Sequence, residues 1–282
     1  MKAFKRLVIP HGVFMVVFIA FPMLLIALYA FTKKGNDIVT IQFTLDNFIR
    51  FFDPVFINIL IQSLKIALIT TIFCLLMGYP IAYFITKQGE CSQMLLILLI
   101  TMPMWVNMLI RTYSWISLLS TNGIINNILV MLGFNRIEML YTDFAVILGM
   151  VYNYLPFMII SIHTQLAKMD QSIIQASYDL GANWKQTFSK VIFPLSIPGV
   201  MTGITLVFLP AVSSFVIPKL LGGGSYMLIG NLIENQFGSA GNWNFGSAIS
   251  LIMTVIIIVT MAITKHFDKD VEDKNSKGAR QW

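Results

Sequence analysis

"DQSIIQASYDLGANWKQTFSKVIFPLSIPG", Asp170 to Gly199, lies between long apolar runs and is too polar to cross a bilayer, yet it carries the marks of ordered secondary structure. Asp170 precedes a helical pattern and is placed to accept hydrogen bonds from its first free N–H groups. The helix is predicted through "QSIIQASYDL", and Gly181 stands where a left-handed residue closes a helix. Asn183 then opens a second helix, with Gln186 three positions on in an arrangement close to a capping box. Trp184, Phe188, Val191 and Ile192 fall at i, i+4, i+7 and i+8 and form one apolar face. Pro194 and Pro198 are expected to end this helix and lead into the next apolar run. The pattern describes a helix–Gly–helix element at a membrane surface, apolar on one side. It fits a docking surface for a partner, and equally an interfacial element lying in the headgroups.

Working outward, the 282-residue chain is 57% hydrophobic and 11% charged, with a mean hydropathy of +0.77. Soluble domains carry roughly 25% charged residues. The expectation is an all-α integral membrane protein, one polytopic domain over residues 1–282. Six segments are long and apolar enough to span: 7–31, 61–86, 94–119, 144–166, 199–221 and 246–267. The apolar run after "MKAFKR" is longer than a signal peptide's and lacks a small-x-small cleavage site, so it reads as a retained first span.

Loop charges give the orientation. With both termini in the cytoplasm, the inner side holds twelve basic residues: Lys2, Lys5, Arg6, Lys87, Lys168, Lys185, Lys190, Lys265, Lys269, Lys274, Lys277 and Arg280. The outer side holds Lys33, Lys34, Arg50 and Arg136, the asymmetry expected of a multi-pass inner-membrane protein. The net charge of +6 therefore marks a cytoplasmic face next to membrane lipid; it is no nucleic-acid stripe.

Lys65, Arg111 and Lys219 lie toward the outer ends of spans. They either snorkel to the headgroups or, for Arg111, face a protein-lined path, as intramembrane charges often do. Gly78, Pro80, Pro103, Pro156, Pro210 and Pro218 interrupt spans two to five. Such breakers fit ordinary kinks or helices bent around a path. Asn107, Asn153, Thr202, Thr205, Ser213 and Ser214 are the polar side chains clustered near them. Between spans one and two, "FTLDNFIRFFDPVF" reads as an interfacial stretch. Between spans five and six, "LLGGGSYMLIGNLIENQFGSAGNWNFG" reads as a flexible extracytoplasmic segment.

Other chemistries find little support. Cys74 and Cys91 make no disulfide framework or metal set, and His11, His163 and His266 sit in no ligand spacing. An intramembrane hydrolase would draw on His163 with Ser213 or Ser214, but no acid is placed to orient the histidine. No GxxxxGK[ST] phosphate loop is present, so ATP hydrolysis by this chain is not expected.

The run Gln175-Ala176-Ser177, then Gly181, then Val191-x-Phe193-Pro194 resembles the EAA motif of ABC importer permeases, with the same spacing throughout. Gln175 replaces that motif's glutamate, and Ser177 its second alanine. "GYPIAYFI", "MPMWVNMLIRTYSW", "STNGIINNILVMLG", "YNYLPFMIISIHTQLAKMD", "DLGA" and "LIGNLI" resemble the spermidine/putrescine branch of that family, its B-type subunit. Relatives for ferric iron, sulfate, thiamine or opines share much of the scaffold. The resemblance implies a type I importer fold with its core over 61–267 and a coupling loop over 170–194. Gln175, Ala176, Ser177, Asp179, Leu180, Gly181 and Pro194 would then couple the chain to an ATPase. It implies as partners a dimer of ATP-binding subunits carrying the ATP and Mg, a second permease subunit of the C type completing a heterodimer, and an extracytoplasmic substrate-binding protein. This chain itself would bind no cofactor and no metal. For a polyamine the substrate path would use Trp105, Asn107, Arg111, Tyr113, Trp115, Tyr152, Asn153, Ser213 and Ser214, with Tyr154 a further aromatic face for ammonium groups. Trp105 and Asn107 are expected deep in span three, and any carboxylate of the site on the second permease subunit.

Overall fold

The computed structural model describes residues 13–33, 42–224 and 226–279, with side chains to Thr264. The start of the first span (7–12), the basic residues Lys2, Lys5, Arg6, Lys34 and Arg280, and His11 lie outside the described residues, as do the side chains of the basic residues from Lys265 onward. Among the described residues five helices are long and apolar enough to cross a membrane, and one pair bent by 90° passes the same test when its two helices are taken together.

The first crossing, α1 (Val13–Ala30), is apolar all round and largely exposed, as a helix facing lipid should be. At its last turn the Tyr29 carbonyl accepts the Thr32 N–H and hydroxyl at 3.2 and 3.1 Å, and two distant amides reach the carbonyls around it. Asn47 Nδ2 donates to the Ala30 and Thr32 carbonyls at 3.0 Å. Asn244 Nδ2 donates to the Tyr29 and Thr32 carbonyls at 3.0 and 2.9 Å. The stretch read as interfacial folds into the short α2 (Asp46–Phe51), with Phe51 buried, and leads at once into α3 (Pro54–Thr86). Pro54 opens α3, seven residues before the span the hydropathy suggests, because its missing N–H costs nothing in a first turn.

Span three is not one straight helix. Residues Glu90–Trp105 (α4, Glu90–Thr101, continued by a tighter turn, Met102–Trp105) and Met108–Met131 (α5, Met108–Leu119, and α6, Ile124–Met131) meet at a 90° bend. Pro103 ends the first arm, Val106 and Asn107 are extended, and Asn107 Oδ1 accepts the Leu109 N–H at 2.8 Å to start the second. A proline stop followed by an asparagine cap outweighed the continuous apolar run. Cys91 is exposed in the first turn of α4.

The central helix is α7 (Asp143–Ala167), packed against α3 and against α9 (Trp184–Ser213). Met158 of α7 is the pivot of that packing. A Cβ on Gly78 would stand 2.9 Å from Met158 Cγ, and one on Gly203 2.6 Å from its sulfur. Glycine at both positions lets three helices share one thioether.

Before α9 comes α8 (Gln171–Asp179). The expectation that Pro194 and Pro198 end the second surface helix is overturned: α9 runs unbroken from Trp184 to Ser213. A wide turn at Phe188–Ile192, closed by the Phe193 N–H on the Phe188 carbonyl, precedes Pro194. Pro194 then begins the regular α-helical stretch, where a proline is tolerated, and only Pro198 and Pro210 are interior to it.

The segment after α9 is folded, contrary to its flexible reading. It forms α10 (Val216–Leu221) and α11 (Ile229–Phe237) before α12 (Trp243–Ala279). The start of α11 is buried at Leu228, Ile229 and Leu232. Ile229 N–H donates to Ser63 Oγ of α3 at 2.8 Å, and Asn231 Nδ2 to the Phe215 carbonyl at 2.8 Å. The glycine run at 222–224 masked an amphipathic helix a few residues downstream.

Candidate functional site

The surface element is capped as its sequence indicates. Asp170 Oδ1 accepts the Ser172 N–H at 2.9 Å, and that bond to the charged form lowers the carboxyl's pKa. At the far end of α8 the Ala182 N–H reaches the Ser177 carbonyl at 3.0 Å and the Gly181 N–H the Tyr178 carbonyl at 2.8 Å. Gly181 has φ +82°, so this is a left-handed closing turn. Nothing lies within 4 Å of where a Gly181 Cβ would be, so conformation and not space demands glycine. Asn183 and Gln186 exchange bonds of 3.0 and 2.9 Å in a full capping box.

One contact joins the two arms. Ser177 Oγ donates to the Ile174 carbonyl at 2.7 Å and lies 3.0 Å from the hydroxyl of Thr187, which is fully buried. Thr187 escaped the sequence reading because nothing in a helical pattern marks a threonine as the far half of a clip.

The apolar face of the second arm is covered from Phe188 to Ile192, whereas Trp184 stays 55% exposed. Phe188 packs edge-on against Tyr79 and Tyr83 of α3, and Trp184 stacks on Phe188 with ring centroids 5.7 Å apart. Tyr79 and Ser196 hydroxyls meet at 2.9 Å. The free surface belongs to the first arm, where Gln175, Ala176, Tyr178, Asp179 and Leu180 are all exposed, Leu180 at 88%. Pro194 is half-buried behind them.

Of the residues proposed for a path, the fold gathers three. Arg111 places its guanidinium 5.9 Å from the centre of the Tyr152 ring, and Trp115 meets the same ring edge-on at 5.5 Å. Arg111 Nε and Nη1 are buried without an acceptor among the described residues. Arg111 thus folds onto α7. Asn153, the next residue of α7, is buried; its amide donates to the Gly149 carbonyl at 2.8 Å and its Oδ1 is unpartnered. Tyr154 donates its hydroxyl to the Pro210 carbonyl at 3.3 Å. Buried Ser214 sits in the break between α9 and α10 with its Oγ unpartnered, whereas Ser213 is exposed and bonds back to the Leu209 carbonyl.

Trp105 and Asn107 stand midway along span three, at its break. Both lie at the bend rather than inside a helix: Trp105 is 76% exposed and Asn107 is occupied as a cap. Tyr113 is exposed on α5. Lys219 bonds Glu234 at 2.9 Å and Lys65 is exposed. His163, buried, meets Gln93 at 3.2 Å, far in sequence and along α7 from Ser213 and Ser214. No cluster of three His, Cys, Asp or Glu placed to hold a metal exists among the described residues.

A chain of six crossings with a capped helix–Gly–helix element at one surface can be compared with known families, and one model matches residues 75–273: the binding-protein-dependent transport system inner membrane component. The chain belongs to that family. This permease is 40% identical over 252 residues, 88% of each chain, to the spermidine/putrescine transport system permease protein PotB of Salmonella typhimurium strain SL1344. It is 39% identical over 265 residues to PotB of Escherichia coli strain K12, covering 92% of this chain and 96% of that one. It is 31% identical over 245 residues to the inner membrane ABC transporter permease protein YdcU of the same strain, covering 80% of this chain and 77% of that one. Among solved structures, its fold superposes on a chain of a bacterial ABC transporter involved in import of the acidic polysaccharide alginate. The TM-score is 0.76, over 95% of this permease and 96% of that chain, at 15% identity. At that identity the likeness speaks for the type I permease fold alone.

Proposed function

We propose that this permease forms half of the translocation path of an ATP-driven importer for spermidine and putrescine. The observation that supports the substrate is the 39–40% identity, over 88% or more of each chain, with permeases of that named system. The partners follow from the same likeness: two ATP-binding subunits holding the ATP and Mg, a second, C-type permease subunit, and an extracytoplasmic binding protein.

In this reading the exposed side of α8, with Gln175, Ala176, Asp179 and Leu180, seats in the ATPase. Ser177, Gly181 and Pro194 hold that side in place, within a coupling loop over 170–194. Because α9 is continuous from Trp184 to Ser213, a displacement of α8 reaches the middle of the membrane without crossing a loose joint. Alternating access is then a rocking of two halves between two states, each ligand biasing the state it binds better. Gln175 makes any contact at its position a neutral hydrogen bond rather than an ion pair. The path itself draws on Arg111, Tyr152, Trp115 and Asn153 in the interior and on Trp105, Asn107, Tyr113, Ser213 and Ser214 around it.

The test is reconstitution of both permease subunits, the ATPase and the binding protein in proteoliposomes. Spermidine and putrescine should stimulate ATP hydrolysis and accumulate inside. Stimulation by thiamine or ferric iron in place of polyamines would overturn the substrate while leaving the architecture standing.

A further inference from the structure

Arg111 presents an unresolved electrostatic problem. A guanidinium stays protonated in any protein environment, so it is a fixed positive charge. Two of its nitrogens are buried without an acceptor among the described residues, and its one favourable neighbour is the Tyr152 ring at 5.9 Å, a weak partner at that distance. Buried charged donors left unpaired are costly, and such residues in membrane spans normally have a partner at hand.

The identity of that partner can be narrowed by elimination. In the spans the acids before Asp268 are Glu90 and Asp143, the first residues of α4 and α7, and Asp143 already accepts the Tyr226 hydroxyl at 2.7 Å. Tyr152 lies nine residues from Asp143 at the outer end of α7, about 14 Å along the axis, which puts Arg111 too deep for lipid phosphates. On the proposed function the substrate is a polycation and repels Arg111. The ATPase and the binding protein meet the complex at its two faces. What remains is a carboxylate from the second permease subunit, approaching the side of α5 where Leu109, Ile110 and Tyr113 are exposed.

We propose that Arg111 is a tethered competitor of the substrate: its guanidinium pairs with a carboxylate of the second permease subunit when the path is empty, and folds back onto Tyr152 when an ammonium group of the polyamine takes that carboxylate. The Tyr152 face is then a parking place, tolerable because the aromatic quadrupole offsets part of the lost pairing. Return of Arg111 to the carboxylate displaces the ammonium and favours release inward. This rests on the polyamine reading above.

The experiment uses the reconstituted four-component complex with spermidine. Arg111→Gln should lower the kcat of uptake about tenfold and leave spermidine retained on the washed complex, because nothing displaces it; Arg111→Lys should stay within about threefold of wild type. A charge-exchange series pairs Arg111→Glu with lysine at each intramembrane acid of the second subunit, and one pair should recover at least about half of wild-type uptake by restoring opposite charges across the interface. Wild-type kcat in an assembled Arg111→Gln complex overturns the proposal, as does a series with no rescuing pair. If Arg111→Gln fails to assemble, the exchange series decides. A wild-type complex that moves no polyamine at all is a failure of the function and is seen before any variant is made.

Discussion

Gly181 shows at the scale of one residue what the surface element asks of its sequence. Its φ of +82° is the left-handed region, and the space around it is open. A β-branched residue there is penalised by backbone conformation, by about 1–2 kcal/mol, whereas asparagine tolerates the same region. Gly181→Val should therefore impair uptake and ATPase copurification while membrane insertion stays normal, and Gly181→Asn should remain near wild type. Equal loss in both variants would mean that side-chain size, not φ, is what matters. Asp170 provides a second test, through pH. Its pKa is lowered by the Ser172 N–H, so the cap stabilises α8 above the ordinary carboxylate value and is lost as pH falls through the lowered one. Amide-exchange protection at Ser172 should collapse only in acid below the ordinary carboxylate range, and Asp170→Asn should keep the cap while abolishing that dependence.

Among the elements, the two breaks and the one continuity matter most. Span three bends by 90° where Pro103 and Asn107 stop one helix and start another. Both signals are visible in the sequence, but the apolar run around them also fits an unbroken span, and only the packing against α7 and α10 selects the bend. The bend leaves Trp105 on the surface of this chain at 76% exposure. Its side chain adds little to folding, since little of it is removed from water or lipid. Trp105→Ala should accordingly weaken uptake without reducing thermal stability or ATPase copurification; unchanged transport kinetics would remove Trp105 from the path. The continuity is α9. The proline pair that suggested a boundary falls at the start and interior of one helix: the wide turn at Phe188–Ile192 absorbs the bond lost at Pro194, and Pro198 is carried inside the helix.

For the whole molecule, the described structure divides into a tight three-helix centre and a loosely attached first crossing. Gly78, Met158 and Gly203 weld α3, α7 and α9. By contrast α1 is attached along α12 and at its outer end by the Asn244 and Asn47 amides. Asn244→Ala removes one donor each from the Tyr29 and Thr32 carbonyls, which keep Thr32 and Asn47 as donors, at a cost of about 0.5–1.5 kcal/mol. It should raise hydrogen exchange in the last turn of α1 while leaving α3, α7 and α9 protected. An effect spread over all four helices would show that α1 belongs to the central unit.

The chain's own order of residues determined the apolar helices and the capped element around Gly181, because hydrophobic length and cap chemistry act over a few neighbouring positions. Those signals also placed Arg111 and Tyr152 in the membrane, but not against each other. The tertiary structure alone decided that they meet at 5.9 Å, that Ser177 clips Thr187, that α11 folds back to Ser63, and that α9 passes its prolines unbroken. Each of these joins residues on separate elements, or settles between two local signals of similar strength, and packing is what chooses between them.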